Sequence, residues 1–150
     1  MAVVGVHKIE KLFKEAAGLK IDKAKVKELI SDVVDDKLYD LLLIAQENTK
    51  YNNRDVIWLS DVPLTKAFKE SMEHFSELSE ELELKQILDH LAGLPPLRYA
   101  LEVELEKKLP IIAGTIIYIL AKICKEFSLK DKSVSTEDLK RAEDILNLMI

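Results

Sequence analysis

Several things this sequence has little of narrow its function early. One cysteine, Cys124, in 150 residues allows no internal disulfide, which excludes a disulfide-stapled secreted scaffold. Four glycines and four prolines leave most element interiors unbroken, and alternating β-branched runs are scarce. There is no basic excess. The 22 Lys+Arg stand against 27 Asp+Glu, a net charge of -5, so any nucleic-acid binding must come from a local patch. No apolar run reaches the roughly 18 residues of a membrane span. The most apolar stretch, Leu109 to Leu120, lies between Lys107-Lys108 and Lys122 and reads as a buried helix. The apolar start, Met1 to Val6, is too short for a signal-peptide core. The expectation is a cytoplasmic protein with no membrane partner.

Catalytic signatures are also missing. There is no P-loop, dinucleotide fingerprint or Ser/His/Asp order, so no enzyme and no cofactor is expected. His7, His74 and His90 share no metal spacing, and Glu70 with His74 at i, i+4 lacks a second such pair. No metal site is expected. Glu102, Glu104 and Glu106 point in different directions on a helix and form no carboxylate pair. Cys124 sits on an apolar stripe and reads as a packed small hydrophobe, and Trp58 reads as part of the core or of an interface.

What is present is helical patterning in a chain that is 48% apolar and 33% charged, enough to fold as one domain over residues 1–150. A first helix runs from about Val6 to Ala17 with Ile9, Leu12, Phe13 and Ala16 on one face, and Gly18 ends it. After Leu19-Lys20-Ile21, Asp22 caps a second helix whose apolar positions continue from Val26 to Ala45 and which reaches about Lys50. At 28 residues it is about 42 Å long. An extended piece, Arg54 to Leu59, follows. Ser60-Asp61 then opens a short helix with Pro63 in its first turn.

The same order returns after a charged connector, Ser76 to Glu83. A short helix spans Leu84 to Leu91, and Leu94-Pro95-Pro96-Leu97 is the link. A long helix runs from about Arg98 to Phe127, interrupted at Pro110. An extended piece, Lys130 to Ser135, leads to a last helix opened by Thr136. A long amphipathic helix cannot bury its middle on two short neighbours. Two such units, residues 1–75 and 76–150, bury each other if their long helices cross.

This layout resembles the histone fold, given twice in one chain as an all-α intramolecular pseudodimer. The seven-residue spacing of Arg54 and Asp61 matches the archaeal-histone signature, in which an Arg in the second loop clamps an Asp at the third helix. A guanidinium suits that task because it binds a carboxylate bidentately. In the second unit Lys132-Ser133-Val134 resembles the Lys-Thr part of the signature, whereas the Arg position holds Asp131. The chain is similar to a small bacterial family of uncharacterised proteins with two histone folds, and more distantly to archaeal tandem histones.

The resemblance implies a histone-like protein that associates weakly with double-stranded DNA, in which case it would be nucleoid-associated. Its contacts would be Lys8, Lys11 and Lys14 on the first helix, Lys20 and Lys23 at the first link, and Lys130, Lys132 and Ser133 in the second extended piece. The first half, with 12 basic and 13 acidic groups, should lead over the second, with 10 and 14. The alternative is an acidic histone-fold module that binds another protein and no DNA. Asp55-Val56, standing where the signature has Lys-Thr, favours it. Lys/Glu enrichment, with only three arginines, is a thermophile signal.

The links should pair across the molecule. Leu19-Lys20-Ile21 should meet Ser133-Val134-Ser135. Leu94-Pro95-Pro96-Leu97 should meet Val56-Ile57-Trp58, in a bridge shortened or abolished because two prolines remove two donors.

Overall fold

In the computed structural model, residues 6–21, 24–78, 84–127 and 132–150 are described. Asp22, most of the 76–83 connector, and Asp131 lie outside them. Six helices and one two-stranded pairing make up the described part: α1 (Val6–Ala17), α2 (Ala24–Tyr51), β1 (Val56–Ile57), α3 (Lys66–Ser76), α4 (Leu84–Ala92), β2 (Ala100–Leu101), α5 (Val103–Lys125) and α6 (Thr136–Met149). This is short, long, short helix, twice.

Each boundary has a local cause. α1 buries Ile9, Leu12, Phe13 and Ala16. It stops at Gly18, whose φ of 66° is left-handed and turns its N–H back to the Lys14 carbonyl at 2.8 Å. α2 ends with Asn53 at φ 59°, its N–H on the Lys50 carbonyl and that of Arg54 on the Thr49 carbonyl, both at 3.0 Å. That pair of returns is a Schellman closure, and it delivers Arg54 directly at the helix end.

α5 lies at the centre. Every residue from Ile112 to Ala121 is buried, as expected for a helix covered on all sides. It is packed by α1 and α3 from the first half and by α4 and α6 from the second, while α6 also lies on α2. The halves therefore interlock around one core. α3 approaches α5 closely because Gly114 has no side chain: a Cβ there would stand 2.0 Å from Phe75 Cζ.

Three expectations need correction. The long helix begins at Val103, not Arg98, and runs unbroken through Pro110. Residues 100–102 are instead used in pairing with β1. Buried Leu109, Ile112, Ala113 and Ile116 hold the helix together on both sides of the missing Pro110 donor. Asp61 does not open α3: Leu59–Asp61 form a 3-10 turn, and α3 begins at Lys66, where Thr65 Oγ1 accepts the Phe68 N–H at 3.1 Å. Asp61's carboxylate is already engaged behind the chain.

The prolines do not shorten the second bridge. Tyr39 donates to the Pro95 carbonyl at 2.8 Å, and Gln46 accepts the Arg98 N–H, so α2 carries the link past them. Pairing occurs downstream, Val56 with Ala100 and Ile57 with Leu101, in parallel. The other end has one parallel bridge, Lys20 with Ser133.

Candidate nucleic-acid interface

At the Lys20 end, the Lys20 N–H donates to the Lys132 carbonyl at 2.8 Å and the Val134 N–H to the Lys20 carbonyl at 3.0 Å. The bridge pairs Lys20 with Ser133 and brings the backbone of Lys132 against that of Lys20 from a sequence-distant loop. Lys14, Lys20 and Lys132 are exposed. Lys132 takes a left-handed φ of 56°, so the chain turns sharply there. Beyond it, Ser135 and Asp138 cap α6 reciprocally, at 3.1 and 3.2 Å. Lys11 is exposed and Lys8 and Ser133 are half-buried, and each of these three already has a partner. Lys23 and Lys130 lie outside the described residues.

The Arg54 end is built differently. Asp61, 4% exposed, receives Arg54 Nη1 at 2.6 Å and Nη2 at 2.5 Å, Thr49 Oγ1 at 2.9 Å and the Trp58 N–H at 2.8 Å. Asn48 holds the Asp61 carbonyl at 2.8 Å. The Arg54 hydrogen bonds are the largest influence lowering the Asp61 carboxyl, to about 2, against the opposing effect of burial. The same pairing raises Arg54. The guanidinium also lies 3.8 Å over the Trp58 ring.

Trp58, expected in the core or at an interface, is thus not in the core. It is 44% exposed. Strand alternation explains it: Ile57 is fully buried, so its neighbours Val56 and Trp58 face outward. Beyond the turn, the Leu59 N–H donates to Glu102 Oε1 at 2.6 Å, while the Glu102 N–H donates to the Ile57 carbonyl at 2.9 Å. Sequence spacing did not reveal Thr49, Asn48 or Glu102. Glu102 is the N-cap residue of α5, where a side chain is free to swing back over the preceding strand.

Cys124 is fully buried, and burial first, then Asp138, pushes its thiol up to about 12. His74 stands beside Tyr118, ring nitrogen to hydroxyl at 3.5 Å. Among the described residues, no three His, Cys, Asp or Glu side chains gather as a metal site. None of the described helices is long and apolar enough to cross a membrane.

An uncharacterised protein of Aquifex aeolicus (strain VF5) is 33% identical over 154 residues, covering 95% of this chain and 89% of its own. The crystal structure of a Thermus thermophilus protein matches with a TM-score of 0.92 at 39% identity, over 99% of each chain. The crystal structure of the histone from Methanopyrus kandleri matches with a TM-score of 0.67 over 93% of this chain and 92% of that one. At 16% identity, that likeness shows the fold alone. Residues 9–147 match the family described as a domain of unknown function (DUF1931), and the chain belongs to that family, built on a doubled histone fold.

Proposed function

We propose that the protein is a histone-like DNA-associating protein whose contact with the duplex is weak and lies at the Lys20/Lys132 end. The observation that carries this reading is the bridge of Lys20 with Ser133, in which the Lys20 N–H meets the Lys132 carbonyl and both lysines are exposed. Lys14 sits one turn from the end of α1 nearby, and Lys23 belongs to the same link by sequence. Phosphates favour such a cluster because binding releases condensed counterions. The net charge of -5 keeps the affinity low.

The test is a duplex-binding series across salt. Three phosphate contacts correspond to a log–log slope near -2.7, or about fortyfold weaker binding at roughly 200 mM than at roughly 50 mM salt. Absence of binding at low salt would refute the reading.

A protein partner is the second reading, and one observation favours it. α6 exposes Ile145, Leu148 and Met149 at helical spacing, beside an apolar-lined groove of about 530 Å³ bordered by Phe68, Tyr118 and Ile119.

A further inference from the structure

α6 carries two apolar stripes where a helix on the surface needs one. Leu139, Ala142 and Leu146 face inward and are buried. Ile145, Leu148 and Met149 form a second stripe at i, i+3 and i+4, and all three are exposed. Leu148, at 88%, is the most exposed large apolar side chain among the described residues. The stripe adjoins a hollow. Met149 lines the groove of about 530 Å³ between α3, α5 and α6, which has buried Phe68 and Ile119 on its floor. A projecting apolar stripe and an apolar groove therefore share one face.

The charges on that face choose among occupants. Among the described residues, the charged side chains that line the groove are Lys122 and Glu126, four positions apart at the end of α5. Glu126 is exposed, and Lys122 is half-buried with its Nζ 5.6 Å from the centre of the Tyr118 ring. One positive and one negative group give no advantage to a phosphate backbone or to a strongly basic or acidic peptide. They do suit a second copy of the same face, because two-fold symmetry turns the order of charges around.

We propose that two copies of the chain associate through this face, about a two-fold axis that sets each Lys122 against the partner's Glu126 and each Leu148–Met149 stripe into the facing groove. The proposal names the partner in the protein-partner reading above and rests on that reading; it is independent of any DNA contact. α6 has 14 residues and is about 21 Å long, so the face is short and the dimer is weak, with a Kd on the order of micromolar to tens of micromolar.

Sedimentation equilibrium of the full chain tests it, from roughly 5 to roughly 500 µM, a range that spans a weak interface. The parent should pass from monomer to dimer. Leu148→Lys should abolish association. The side chain is exposed and a cation suits a helix C-terminus, so the fold is kept, as a thermal melt checks. Lys122→Glu and Glu126→Lys should each weaken the dimer by at least about fivefold, and the double variant should return to within about twofold of the parent, since the symmetry pairs the exchanged charges again. An anilinonaphthalene sulfonate dye reads the open face of the monomer, and its emission per chain should fall as the parent is concentrated.

A parent that stays monomeric throughout, or a Leu148→Lys variant that associates like the parent, would overturn the dimer. A double variant no tighter than the single ones would overturn the two-fold register. If a monomeric parent binds the dye and Leu148→Lys does not, a different protein is the occupant and the protein-partner reading survives without the dimer. If neither dimer nor dye binding is found, both fall.

Discussion

The two ends of the molecule are made from the same parts and put them to opposite use. At each, a link from one half lies beside an extended piece from the other, in parallel. At the Arg54 end the pairing is two residues long, and the neighbouring donors turn inward: Arg54, Thr49 and the Trp58 N–H onto Asp61, the Leu59 N–H onto Glu102. At the Lys20 end the pairing is one bridge, and Lys20 and Lys132 face solvent. One fold can therefore lock one loop pair with internal hydrogen bonds and leave the lysines of its counterpart exposed. The locked end is made by few residues, chiefly Arg54, Asp61 and Asp61's extra partners.

The largest effect should come from breaking the open end. Charge reversal of Lys20, Lys23 and Lys132 together should remove duplex affinity by roughly a hundredfold or more at low salt, since each lost phosphate contact also becomes a repulsion. Fluorescence anisotropy measures this. Binding that survives in the triple variant would move the contact elsewhere.

Breaking the locked end should cost stability and leave DNA affinity alone. Asp61→Asn removes the buried charge and one of the two oxygens that accept from Arg54, Thr49 and the Trp58 N–H, and should lower the unfolding free energy by about 2–4 kcal/mol. A denaturant midpoint equal to the parent's would contradict the clamp. Gly114→Ala is the control that weakens both ends through α5. Its Cβ meets the Phe75 ring, and overpacking of this kind costs about 1–3 kcal/mol. Phe75→Leu in the same chain should recover part of that loss.

A smaller effect is the pH dependence. Asp61 is held near 2, below its ordinary 3.8, so the charged form stabilises the fold. That contribution, about 2 kcal/mol, is complete above roughly pH 4 and fades as pH falls towards about 2. In Asp61→Asn the acid loss over that window should be shallower, as circular dichroism against pH would show. Smallest is Trp58→Ala, which removes a half-exposed cation–π contact worth about 0.5–1 kcal/mol.

The helices were legible because their apolar faces repeat at helical spacing, as in Val26, Ile30, Val33, Val34, Leu38 and Leu41. So was the Lys20 bridge, which joins ordinary donors. What could not be read was long-range. Whether Arg98 to Glu102 continue the helix or pair with β1 depends on Tyr39 and Gln46 tying the link to α2. Proline pattern alone pointed to a weak bridge, because it takes no account of the chain sliding past to use later donors. For Trp58 the choice between core and interface stayed open for a similar reason: one residue of strand register separates the core from solvent, and Ile57 took the inner side. Of the lysine cluster, residue type was visible. Exposure and adjacency required the fold.

The most direct test of the asymmetry is an amide chemical-shift map of the full chain with a short DNA duplex at low salt. The predicted result is shifts concentrated at residues 18–21 and 132–135, with residues 54–60 and 100–102 unmoved. Shifts at the Arg54 end, or equal shifts at both, would contradict the division between a locked end and an open one.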